Sequence, residues 1–213
     1  MDTPTLLGFC AVAFVTIATP GPTVLLALHN GSHHGFRGAV PGIAGAVLSD
    51  VLLIAATAAG LGALLLASEM AFRVLQWAGV AYLAWLGLAL LRGAGTGTGT
   101  GPVAADNGAP GGNARQRFLR SLGVALSNPK GLLFFAALLP QFVDPAAPQL
   151  PQYALLAALF AGIDALVMAA YALLGARATR RLGAGAARWG DRLGGGALLL
   201  LAAALAGYRR GAA

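Results

Sequence analysis

Apolar residues in this chain come in long, nearly unbroken runs rather than on one face of a helix or on alternate positions of a strand. Six runs can be delimited, at 5–28, 39–67, 71–91, 118–140, 152–175 and 193–208. Crossing a hydrocarbon core of about 30 Å takes roughly 20 residues. The first five runs meet that length, and the sixth meets it if Trp189 and Tyr208 anchor its ends at the interface. The pattern predicts an all-α integral membrane protein with six transmembrane helices. Between the third and fourth runs, the Gly/Thr repeat from Gly93 to Gly101 and the polar residues up to Asn113 bury too little to offset their ordering entropy. Residues 93–113 are therefore expected to be a cytoplasmic linker inside a single membrane domain over 1–213, separating three-helix sets at 1–92 and 114–213. Three is odd, so the second set enters the bilayer in the opposite sense, and the two sets become inverted repeats.

The first run of each set is interrupted. Thr19-Pro20-Gly21-Pro22 lies near the middle of 5–28, and Asn128-Pro129-Lys130-Gly131 inside 118–140. Proline removes a backbone donor and clashes with the preceding turn, and the freed polar groups are tolerated at membrane depth only inside protein or beside a watery cavity. A matched pair of broken segments in two halves points to the binding site of a transporter. Thr and Asn cap helix starts, and proline suits the first helical position. Both motifs therefore predict a cap followed by a new half-helix, whose first amides attract carboxylates. Gly21 and Gly131 would let a ligand or another backbone approach. Simple proline kinks are the structural alternative.

Few charges lie deep in the spans. Asp50, Asp164 and Lys130 each fall about twelve residues into their runs, near the midplane, where a charge costs at least a few kcal/mol and is a functional candidate. Burial disfavours the charged form of either side-chain type, so an aspartate that gains and loses a proton can couple transport to a proton gradient. A structural Lys130–Asp pair is the alternative. Asp50 and Asp164 follow their prolines by 30 and 35 residues, a second landmark shared by the two sets. Gly38, Gly42, Ala46 and Asp50 recur every four residues, a face suited to close helix packing. Tyr171 lies two turns beyond Asp164 on the same face and could supply a hydroxyl, an interfacial aromatic being the equal alternative.

Composition agrees with the pattern: 58% of residues are apolar and 10% charged, against roughly a quarter charged in soluble domains. The net charge of +7 fits the basic cytoplasmic loops of a membrane protein better than nucleic-acid binding. Arg37, then Arg92, Arg115 and Arg117, then Arg177, Arg180, Arg181, Arg188 and Arg192 fall in the expected loops 29–37, 92–117 and 176–192. Those three loops are placed inside and both termini outside. Met1-Asp2-Thr3-Pro4 has no positive n-region, so the first run is expected to remain as a helix. The lone Cys10 excludes an internal disulfide and a cysteine-ligated zinc site. His29, His33 and His34 share a short loop without carboxylates, so no metal site is expected there. With no histidine deep in a span, a membrane-embedded hydrolase lacks its base.

Several stretches resemble the lysine exporter and homoserine/threonine exporter family of bacterial inner-membrane translocators. They are Thr19-Pro20-Gly21-Pro22, Gly35-Phe36-Arg37-Gly38, Tyr82-Leu83-Ala84-Trp85-Leu86-Gly87 with Arg92, and Ser127-Asn128-Pro129-Lys130-Gly131 running on to Leu139-Pro140-Gln141-Phe142-Val143. Asp50 stands where that family commonly has an acidic residue. The resemblance spans nearly the whole chain. It implies six helices, no cofactor, an inner-membrane location, and export of amino acids or close derivatives in exchange for protons. On this reading the substrate carboxylate meets Thr19, Pro20, Gly21, Pro22, Asn128, Pro129, Lys130 and Gly131, and its ammonium meets Asp50 or Asp164. The partners are then a small amino acid, protons and the lipid bilayer. The sequence leaves substrate identity and oligomeric state open, and a homo-oligomer is compatible with it. Metal-cation efflux through the two aspartates, or a non-transporting membrane subunit, are the rival readings; two carboxylates make a poor metal cage.

Overall fold

A computed structural model describes residues 1–19, 21–60, 70, 73, 74, 77, 80, 81, 84, 85, 87–89, 91, 92 and 113–207. Among these residues every regular element is helical. They are α1 (Thr3–Ala18), α2 (Pro22–Ala58), α3 (Ala114–Leu126), α4 (Pro129–Leu133), α5 (Gln149–Leu182) and α6 (Ala184–Gly207). A π-helical turn (Phe134–Leu138) and a 3-10 turn (Leu139–Phe142) continue α4. The described residues between 70 and 92 are helical as well. The expectations for Pro20, Tyr208, the linker up to residue 112 and most of the third span lie outside the described residues.

α2 and α5 are each long and apolar enough to cross a membrane, and α3 with Lys130–Phe142, bent by 53° at the break between them, makes a third if the pair is one broken span rather than a re-entrant loop. α1 is a shorter apolar helix. With 37 residues, α2 would measure about 55 Å if straight. It is folded at Gly35, whose φ of 67° and ψ of 177° lie in a region open essentially to glycine alone. A Cβ added at Gly42 would sit 2.6 Å from Asn30 Nδ2, so the two arms of α2 run back along one another.

This corrects the expected loop at 29–37, which is helical on both sides of a single glycine. The expected loop at 176–192 is corrected in the same way. α5 carries Arg177, Arg180 and Arg181 inside its helix, the chain turns at Gly183 (φ 72°), and α6 begins at Ala184. The reason is length: the 34 residues of α5 extend about 51 Å, well beyond a core of about 30 Å. A helix does not have to end where its apolar stretch ends.

Glycine sets how closely the helices pack. α2 packs most extensively on α5 and next on α3. A Cβ on Gly31 would overlap the carbonyl oxygen of Ala172, and one on Gly175 would overlap that of Leu28. On the other arm, a Cβ on Gly45 would overlap the Phe118 carbonyl of α3. Of the anticipated small-residue face, Gly42, Ala46 and Asp50 are buried, whereas Gly38 is half-buried and closest to His34 across the fold at Gly35. α6 meets the third helical stretch similarly: a Cβ on Gly87 would lie 2.9 Å from the Gly195 oxygen. Inside, Phe9, Phe134, Phe135 and Phe160 form a buried aromatic cluster, with Phe135 and Phe160 ring centroids 4.8 Å apart.

The strained turn gives a first prediction. Gly35→Ala should destabilise the protein by about 1–3 kcal/mol, because alanine must be forced into that conformation. Gly8→Ala, with nothing near the added carbon, should not. Thermal unfolding in detergent compares the two.

Candidate functional site

Both proline motifs do break their helices. The second behaves as expected: Asn128 caps α4, its side chain accepting a hydrogen bond from the Lys130 amide at 3.1 Å, with Pro129 at the first turn. The first is corrected. Thr19 does not open the new helix. It ends α1, with extended backbone, its amide and its hydroxyl both donating to the Val15 carbonyl, at 3.1 and 2.6 Å. α2 begins three residues later at Pro22, with extended Gly21 as its cap and no side chain covering its first amides. The motif holds two prolines that could each open a helix, and the chain uses the second; Thr19 is then left to satisfy the helix behind it.

The two breaks meet. The Lys130 ammonium reaches from the second break to the end of α1, donating to the carbonyl oxygens of Thr16 at 2.5 Å and Thr19 at 2.7 Å. Thr16 is in the last turn of α1, whose carbonyls lack helical partners and carry the negative end of its dipole, and Thr19 follows the helix directly, so a cation is favoured there. Tyr171 of α5 donates its hydroxyl to the Ala18 carbonyl at 3.0 Å. The hydroxyl anticipated from the spacing with Asp164 thus seals the same helix end. Gly21 lies directly against the ammonium, since a Cβ there would be 3.4 Å from Lys130 Nζ. Gly131 is not at a close approach, with only the Phe135 ring at 3.9 Å from a Cβ.

The aspartates stand at this level too. Gly35 lies 14 residues after Gly21 and 15 before Asp50, so folding α2 at Gly35 returns Asp50 to the height of the break. There Asp50 meets Asp164 of α5 within hydrogen-bonding reach, both side chains buried. One carboxyl oxygen of each, Oδ2, is buried and has no partner. Leaving such an acceptor unsatisfied costs about 1–3 kcal/mol, which a native fold retains where a ligand, an ion or a proton is handled. Lys130 is near enough to Asp164 to interact electrostatically, but its hydrogen bonds go to the α1 carbonyls. The structural Lys130–Asp pair is therefore not the arrangement found. Ile54, one turn past Asp50, and Phe160, one turn before Asp164, belong to the buried core and keep one side of the pair apolar.

The sequence-level reading missed the carbonyls of Thr16 and Thr19, because backbone acceptors leave no trace in residue identity. Their signal was indirect: a lysine in the other broken helix at matching depth. Among the described residues no group of three or more His, Cys, Asp or Glu side chains is arranged to hold a metal.

Residues 14–209 match the LysE type translocator family. The homoserine/homoserine lactone efflux protein of Salmonella typhimurium (strain LT2) is 38% identical over 159 residues, covering 75% of this chain and 74% of that protein. An uncharacterized membrane protein of Vibrio cholerae is 31% identical over 180 residues, covering 84% and 85%. The leucine efflux protein of Enterobacter sp. (strain 638) is 30% identical over 138 residues, covering 63% and 62%. No solved structure matches the chain. The broken helices, the buried carboxyl pair and these similarities converge: this membrane protein belongs to the LysE type translocator family.

Proposed function

We propose that the protein exports amino acids or close derivatives from the bacterial cytoplasm by proton antiport with alternating access. The observation that carries this reading is the buried Asp50–Asp164 pair, one oxygen of each unpartnered, at the level of two facing helix breaks. Two carboxyl groups in contact in a low dielectric repel one another when both are charged, so the pair binds either a proton or a cationic group. A substrate ammonium arriving from the cytoplasm displaces the proton, and a proton returning from outside releases the ammonium. The substrate carboxylate lies against the uncapped first amides of α2 after Gly21 and Pro22, with Lys130 beside them. Thr19 and Asn128 shape the two breaks, and Pro129 and Gly131 carry the second one past the site.

In this scheme the chain forms six spans as two inverted three-helix repeats in the inner membrane, with both termini outside. Rocking of one repeat against the other exposes the pair to each side in turn. The efflux proteins among the relatives, named for homoserine, homoserine lactone and leucine, set the first substrates to try. Counterflow in proteoliposomes against those three compounds and other amino acids, without a pH gradient, tests the reading. At least one should exchange faster than in protein-free vesicles; a flat response across the panel overturns it.

A further inference from the structure

Lys130 is the single lysine of the chain, and its ammonium is held by peptide carbonyls rather than by an acid. The oxygens of Thr16 and Thr19 converge on it, and Gly21 lies beside it, where an added Cβ would be 3.4 Å from the nitrogen. A neighbouring carbonyl, that of Ala18, is taken by Tyr171, which fixes the end of α1. These are the features of a receptor for a primary ammonium: convergent carbonyl acceptors at the negative end of a helix dipole, with a glycine beside them. An unsatisfied carboxyl oxygen of Asp164 lies within electrostatic range of the same ammonium.

We infer that the Thr16 and Thr19 carbonyls form a primary-ammonium site in which Lys130 stands in for the substrate's own ammonium, and that the substrate takes this place as Lys130 turns to its carboxylate. The inference rests on the amino-acid export reading and deepens it. An ammonium has three N–H donors; two go to the carbonyls and the third is free for the carboxyl pair. Lys130 leaves carbonyl acceptors for a carboxylate, so neither cation is left without partners during the exchange. The site then demands N–H donors and rejects quaternary nitrogen, although both carry the same charge. Substrates are accordingly primary amines, and fully N-methylated amino acids are excluded.

The direct test is chemical rescue of Lys130→Ala, read as thermal unfolding of the purified protein at constant ionic strength. The variant should unfold several degrees below wild type. n-Propylammonium should restore at least half of the loss with a saturable dependence, and tetramethylammonium should restore none. No rescue, or equal rescue by both cations, overturns the inference. Should Lys130→Ala not fold, selective ¹⁵N labelling of lysine in the wild-type chain reports the one side-chain ammonium directly. That signal should shift on adding an exported amino acid and stay put with its trimethylammonium analogue; no shift, or the same shift with both, overturns the inference. Rescue is independent of transport. Rescue without counterflow therefore sinks the export reading alone, and counterflow without rescue sinks the ammonium site alone.

Discussion

Asp50→Asn and Asp164→Asn are each expected to abolish export while leaving the protein inserted and folded. The amide is nearly the same size as the carboxyl, and it can pair with the remaining aspartate, so packing between α2 and α5 is retained. What it removes is the exchangeable proton and the negative charge that an ammonium needs. Loss of a group that must exchange a proton lowers rates by about a hundredfold or more, so transport should fall to background. Gel filtration in detergent and the thermal midpoint separate this outcome from misfolding. Because each carboxyl leaves an oxygen unsatisfied, the variants should unfold at the same temperature as wild type or slightly above it. Wild-type export by both variants would remove the pair from the mechanism.

The second large effect is expected at the contact of α2 and α5. Gly31→Val or Gly175→Leu places carbon where the other helix has a carbonyl oxygen. The obstacle is backbone, so no rotamer change relieves it, and the helices must separate. Overpacking against movable side chains costs about 1–3 kcal/mol; here the displaced element is a main chain that also holds Asp164 opposite Asp50. Folded protein should be largely lost in both variants. Gly162→Val, on the same helix as Gly175 but with open space around it, should leave the yield unchanged. Yield of monodisperse protein after membrane extraction is the readout, and equal yields for Gly162→Val and Gly175→Leu would show that the close approach is not required.

Much of this site was legible in residue identities. Proline in the middle of an apolar run can be read directly, because no lipid-exposed helix tolerates the freed backbone. Aspartate and lysine deep in apolar runs stand out for their desolvation cost, and the structure brings Asp50 against Asp164, with Lys130 in electrostatic range. The helix ends were less legible. Arginines past Gly175 read as a loop, yet backbone hydrogen bonds extend a helix into the interface at no cost in burial, so α5 runs on to Leu182. The fold-back of α2 at Gly35 hid inside a His- and Arg-rich stretch whose polarity outweighed its helical geometry. Thr19 was misplaced because cap propensity says which residue types suit a helix end, not which of two prolines the chain will start from. Gly45 escaped notice because it lies one residue off the four-residue spacing, and only the position of Phe118 on α3 reveals its use. For Lys130 the residues left substrate binding and pairing with an aspartate both open; its acceptors are peptide carbonyls, which every residue possesses.

The proposed antiport has one requirement: substrate movement must be tied to a proton at the Asp50–Asp164 pair. Proteoliposomes loaded with a pH-sensitive dye measure that link, with an exported amino acid added on one side at equal starting pH and the membrane potential clamped. The account predicts proton flux opposite to substrate flux in the wild type, absent in both Asp→Asn variants. Substrate transport with no accompanying proton movement would contradict it.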